Sequence, residues 1–278
     1  MLLRSPAYPV TDDHIHIDPL NGRGIEAAKD FLRAGGTHLF LVSKPSWSLG
    51  VHPSCGADYT RVFDETLRVA EMIRKTGLEV FPVLGVHPAE INRLMERLSL
   101  AEATGVMKAG LDYAATFVRE GKAVALKSGR PHYDVSPELM AASNDVLAHA
   151  LYLAADCACA LQIHAESGPC ADVVEMAAAA RMPLERVVKH YGSPDTPLHP
   201  SLIAKHEALP RLIREHRRFT MESDYMDENS RPGAVIGPKS VPRYTSQLIT
   251  SGQMTIDDCF FIHAETVERV YGVTVQLR

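Results

Sequence analysis

No Cys-x-x-Cys pair occurs among the five cysteines, Cys55, Cys157, Cys159, Cys170 and Cys259. The spacing excludes the common structural zinc knuckle, and the odd count argues against a disulfide framework, so a reducing cytoplasm is the expected compartment. No apolar run reaches the roughly 18 residues of a membrane span, and MLLRSPAYPV at the N-terminus has no long hydrophobic stretch, so neither insertion nor secretion is expected. Positive charge is also in short supply. With 29 Lys and Arg against 34 Asp and Glu, the formal net charge of −5 provides no global field for nucleic acid. The densest basic run, REHRR at Arg214 to Arg218, ends an amphipathic stretch and reads as a solvated helix terminus. No basic, aromatic-rich stretch, Pro/Gly/Ser-rich linker, low-complexity tract or short repeat is present.

What is there is an ordinary globular composition, 46% hydrophobic and 23% charged, over 278 residues. That rules out a disordered chain and allows one large core. Short β-branched or apolar runs alternate with helical periodicity, the pattern of strand-helix units on a parallel sheet. The strands are read at TDDHIH, THLFLVS, EVFPVLGVHP, KAVALKSG, ALQIHAE and RVVKHYG. Between them lie GIEAAKDFLRAGG, DYTRVFDETLRVAEMIRKTG, a mostly helical Ala89 to Gly121, PELMAASNDVLAHALYLAAD and ADVVEMAAAARM. Ser136 and Pro137 form a cap and first-turn pair opening the fourth of these helices. Beyond Tyr191 the units compress. An abbreviated strand near PSLIA, the helix AKHEALPRLIREH and an eighth strand FTMESD are fitted before a long loop and closing helices that include AETVERVYG. The fold class expected is α/β, a distorted (β/α)8 TIM barrel formed by residues 1–278 as a single domain, compressed between strands six and eight.

The strand ends carry the chemistry. His14 and His16 sit two apart in TDDHIHIDP, so on an extended strand both imidazoles face one way. Alone, such a pair is either two satisfied histidines or half of a metal site. Lys127, His164 and His190 end strands four, five and six, and Asp224 ends the last, which would gather all six at the C-terminal mouth of one barrel. Imidazoles with a carboxylate suit zinc, and also manganese, iron or nickel.

In this order HIH, GVHP, LKSG, QIHAE, VVKHYG and MESD resemble the amidohydrolase superfamily, and within it the TatD-related metal-dependent hydrolases; the likeness extends from His14 to ETVERVYGV. The resemblance implies a (β/α)8 barrel with one or two divalent metals. His14 and His16 would hold one, His164 and His190 the other, and Asp224 would bind metal and take a proton from the attacking water. His87 of GVHP would contact the substrate or its leaving group. The implied reaction is attack by metal-bound hydroxide on a phosphoester or a cyclic amide or lactone.

One position departs from the TatD pattern. Where those enzymes place a metal-bridging glutamate, this chain has Lys127, as in the phosphotriesterase-like branch, where CO2 converts lysine into an anionic carbamate bridge. A lysine near dications in low dielectric favours the neutral amine that reacts with CO2. The other reading pairs Lys127 with Glu222 or Asp224 and leaves a mononuclear site. Glu222, two residues before Asp224, falls on the same face of an extended strand, either orienting a ligand or filling a polar interior. Arg231 and Lys239 in the loop after Asp224, His132 after strand four, and Trp47 after strand two are the substrate-contact candidates. Small-molecule or nucleotide-like substrates are expected, with no membrane partner, no strong nucleic-acid surface and a possible homo-oligomer. The rival readings are a TatD-type deoxyribonuclease trimming DNA ends and a non-catalytic metal-binding barrel or complex subunit.

Overall fold

The computed structural model describes residues 7–230 and 235–277. Strands and helices alternate as the patterning requires, with β1 (Thr11–His16), α1 (Ile25–Arg33), β2 (His38–Val42), α2 (Thr60–Arg74), β3 (Glu79–Gly85), α3 (Glu90–Met95), α4 (Leu100–Arg119) and β4 (Ala125–Gly129) in the first half. There follow α5 (Pro137–Asp156), β5 (Ala160–His164), α6 (Val173–Ala179), β6 (Val187–Lys189), β7 (His199–Ile203), α7 (Leu209–Arg214), β8 (Thr220–Glu222) and β9 (Tyr225–Met226). The chain closes with α8 (Ser240–Thr250), α9 (Ile256–Phe260) and α10 (Thr266–Tyr271). It divides into two compact units, one made of the described parts of Met1–Leu41, Val69–Phe81 and Ser201–Arg278, the other of Val42–Arg68 and Pro82–Pro200.

In the second of these, β3, β4, β5 and β6 pair in parallel and in sequence order, and the first residues of β7 continue the ladder through Val188 opposite His199. Strands with both faces covered need near-continuous apolar runs, and β4 and β5 are buried almost throughout. Their core joins Phe63, Leu84, Leu126, Leu147 and Leu161, and each such side chain contributes about 2 kcal/mol on leaving water. α5 begins as its sequence predicts, with Pro137 in the first turn and the Leu139 N–H donating to the Ser136 hydroxyl. Glycine is required at position 129. Its φ is +154°, and a Cβ there would collide with the His164 carbonyl opposite.

In the first unit, β1 is paired in parallel with β2 on one side and β9 on the other, and β7 pairs with β8. The Thr220 hydroxyl donates to the Asp13 carboxylate at 2.7 Å, tying β8 to β1. One core gathers Ile15, Phe31, Leu41 and Val80; another gathers Val10, Leu202, Phe219 and Ile262.

Four elements differ from the sequence reading. Ala89 to Gly121 is two helices, because Ser99 and Glu102 form a reciprocal capping box that restarts the chain at Leu100. The helix read over AKHEALPRLIREH begins only at Leu209, where Pro210 is tolerated in the first turn but not further in. FTMESD shortens to β8, which stops at Glu222. Asp224 has φ +45°, so the strand alternation that would have put Glu222 and Asp224 on one face does not extend to it. The short β9 that follows was not anticipated. Its two residues, Tyr225 and Met226, are too few to show a period.

Candidate metal centre and active site

β1 is buried along its whole length and delivers two imidazoles in contact. His14 Nε2 and His16 Nε2 are 3.2 Å apart, with ring centroids at 5.0 Å and planes at 77°. Asp224 Oδ1 lies 3.9 Å from His14 Nε2, and one ligand atom from each of the three residues falls within 4.8 Å of the others. This donor set fits a divalent ion, since two imidazoles and a carboxylate with open positions are what zinc or a neighbouring metal accepts.

The left-handed backbone of Asp224 is uncommon outside glycine and has to be held in place. Asp12 supplies the hold. Its Oδ1 accepts from the His14 N–H at 3.2 Å and the Ser223 N–H at 3.1 Å, joining the strand that carries the histidines to the residue before Asp224. Burial pushes the Asp12 carboxyl up to about 7, against the hydrogen bonds from Ser223 and His14. Asp227 closes the loop after β1. Its Oδ2 accepts from the backbone of Asp18 (3.0 Å) and Gly24 (2.7 Å), its Oδ1 from the backbone of Arg23 (2.7 Å) and from the Tyr225 hydroxyl (2.9 Å). Glu222 is fully buried and accepts from the Ser201 hydroxyl.

A second imidazole cluster belongs to the other unit. His164 closes β5 and His190 follows β6, with His164 Nδ1 2.8 Å from His190 Nε2. The other His164 nitrogen, Nε2, lies 2.7 Å from His132 Nδ1, and the His87 ring is 4.8 Å away. Burial leads in holding His164 far below its ordinary pKa and so favours the neutral imidazole, the form that ligates metal. Lys127 sits in the middle of β4, opposite Gly85 and Gln162, with 2% of its surface exposed. Lys189 donates to the carbonyls of Ala165 (3.2 Å) and His190 (3.0 Å), fixing the backbone on either side of the histidine pair.

The Ala89 N–H donates to His87 Nδ1 at 3.2 Å, which leaves the ring proton on Nε2. Trp47 stands edge-on to His87 at 6.4 Å between centroids, with the Arg93 guanidinium 5.7 Å from its own ring. The turn bearing Trp47 is anchored by Glu90, which accepts from the Ser46 N–H at 2.6 Å and the Ser46 hydroxyl at 2.8 Å. His132 is exposed, as a substrate contact must be. Lys239 is already engaged, its ammonium 3.4 Å from the Asp30 carboxylate, which also binds Arg23. Arg231 lies outside the described residues. Asp12, Asp227 and Lys189 escaped the sequence reading. Asp12 and Lys189 stand inside the motifs already singled out, TDDHIH and VVKHYG, whereas nothing local marks Asp227.

Residues 11–272 match the family described as TatD related DNase. An uncharacterised protein of Methanocaldococcus jannaschii is 36% identical over 289 aligned residues, 98% of each chain. Among solved structures, a TatD homologue from Escherichia coli K12 superposes with a TM-score of 0.64 at 16% identity, covering 95% of this chain and 98% of that one. The phosphotriesterase homology protein of Escherichia coli, complexed with phosphate in its active site, gives 0.60 at 12%, covering 97% and 100%. These neighbours share the barrel fold expected from the alternating strands and helices. The whole-length family match and the metal-ready histidines of β1 together place the chain in the TatD-related family, as a metal-dependent hydrolase.

Proposed function

We propose that the protein hydrolyses a phosphoester or a cyclic amide or lactone, with His14, His16 and Asp224 holding one divalent ion and His164 and His190 a second. Lys127 contributes as its carbamate. The observation that carries this reading is the His14, His16 and Asp224 group, whose ligand atoms lie within 4.8 Å of one another. A divalent ion supplies Lewis acidity and brings the pKa of a coordinated water to about 7. Asp224, with 18% of its side chain exposed, accepts the proton from the nucleophilic water. His87 turns its Nε2–H toward the leaving group, a role supported by the Ala89 N–H that occupies its other nitrogen. Trp47 packs against His87 and gives the uncleaved part of the substrate an aromatic wall. Burial of Lys127 to 2% withholds the water that would stabilise an ammonium and favours the amine that captures CO2. Zinc is the preferred metal on the strength of the imidazole-rich donor set.

Elemental analysis after zinc reconstitution, with and without bicarbonate, tests this. About two ions per chain, falling towards one in Lys127→Ala and without bicarbonate, is the expected result. One ion in every condition removes the carbamate, and none removes the hydrolase mechanism. The family description favours a second reading, trimming of DNA ends. Phosphate contacts make nuclease rates fall steeply with salt, so turnover of nucleotide fragments that does not change with salt would set it aside.

A further inference from the structure

Arg130 follows directly on β4, and only 6% of its side chain is exposed. A guanidinium has five N–H donors, and here all five are spent on the protein. Nε donates to Glu166 Oε2 at 2.8 Å. Nη1 donates to Asp172 Oδ2 at 2.5 Å and to Asn144 Oδ1 at 3.2 Å. Nη2 donates to Asp172 Oδ1 at 2.9 Å and to Glu166 Oε1. This arginine therefore has nothing left to offer an anion.

Its network forms part of the wall of an open cavity of about 580 Å³, lined also by the 131–135 segment and Met140. The volume suits one small-molecule group. His132 links the cavity to the imidazole cluster, since its Nδ1 is 2.7 Å from His164 Nε2. The electrostatic character follows from the count of charges: one guanidinium against the carboxylates of Glu166, Asp172 and Asp134. Glu166 and Asp172 keep outward lone pairs, with 38% and 57% of their side chains exposed. The hydrogen bond from Arg130 leads in holding the Asp172 carboxyl below its ordinary value. The rigidity of the lining separates this cavity from a solvated acidic patch, because the buried arginine clamps the loop after β5 to the start of α6.

We propose that this cavity is the subsite for the uncleaved part of the substrate and that it selects a hydrogen-bond-donating, non-anionic group, an ammonium above all. The inference rests on the hydrolase reading and narrows its substrate class: the bond attacked carries a cationic or hydroxylated substituent on its far side. A polyanionic strand is disfavoured there, because a phosphate next in line would meet carboxylates and an arginine without a free donor.

Ligand-observed NMR on the zinc-reconstituted full chain, with benzylammonium and benzoate as probes, tests the subsite without requiring turnover. Asp172→Asn should weaken benzylammonium about tenfold and leave benzoate no weaker. Glu166→Gln, on a different element, should act in the same direction and replaces the first variant if its circular dichroism shows misfolding. Benzylammonium affinity unchanged in both variants, or both probes weakened alike, overturns the proposal. Metal content, measured on the same samples, reports on the hydrolase reading independently, so the two ideas fail by different readouts.

Discussion

Two histidines, one in each unit, show what the protein does with the same side chain. His263 lies in the π-helical turn Phe261–Glu265 and is wholly enclosed. Its Nδ1 accepts from the Thr11 N–H at 3.1 Å, its Nε2 faces the Thr245 hydroxyl at 3.1 Å, and its own carbonyl accepts from the Thr11 hydroxyl at 2.7 Å. Every polar atom meets a group of the fold. His164 is only half-buried, and both of its nitrogens meet other imidazoles. A neutral imidazole has one donor and one acceptor, so a chain of three is satisfied only when all protons run in one direction. The first arrangement ties β1 and α8 to the closing helical turn. The second lines up three imidazoles that satisfy one another only in that single arrangement of protons.

The comparison breaks most sharply at the acid beside the β1 histidines. Asp224→Asn should lower kcat by about 10³-fold while the thermal midpoint stays near wild type and metal content is retained. Equal loss of metal and rate would make Asp224 a ligand only. His263→Ala should do the reverse, removing about 3 kcal/mol of stability in denaturant titration and leaving the rate per folded molecule unchanged.

The same histidine predicts a pH effect. Burial, the leading cause, lowers His263 to about 4 from 6.5, so between those values the unfolded chain binds the extra proton. Its stabilising contribution is fully present above pH 6.5 and is lost as pH falls through 4, about 3 kcal/mol in all. The difference between wild type and His263→Gln across that window isolates it; identical slopes would mean that His263 is not the titrating group. The smallest effect concerns the outer imidazole. His132→Ala should cost about tenfold in kcat/KM, mostly through KM, with metal content unaffected. A loss of metal would make His132 a ligand instead.

How much of this was legible in the sequence follows the same division. Long, strongly patterned elements such as α5 and the strand ending in His164 were readable, because local periodicity and caps alone determine them. The candidate ligand histidines were readable from the strand pattern, His14 and His16 from their alternation in TDDHIH and His164 from its place closing ALQIH. His263 gave no such sign: its partners, Thr11 and Thr245, are distant in sequence, and AETVERVYG beyond it reads as any amphipathic helix. Arg130 and Asp12 lay within or beside recognised motifs, but their roles depend on which neighbours the sheet supplies. Arg218 shows the limit of reading charge runs. It belongs to REHRR and is exposed as that run predicts, yet its guanidinium also lies 4.4 Å over the Phe261 ring and donates to the Thr266 hydroxyl, so a solvated charge packs as well.

The position of Trp47 has a practical consequence. It is the single tryptophan of the chain, and it stands between His87 and Arg93. Near-ultraviolet emission excited at the red edge thus comes from one indole beside His87. Its intensity and wavelength should respond to the arrival of any group against that wall, so the native protein carries its own optical reporter and needs no attached dye.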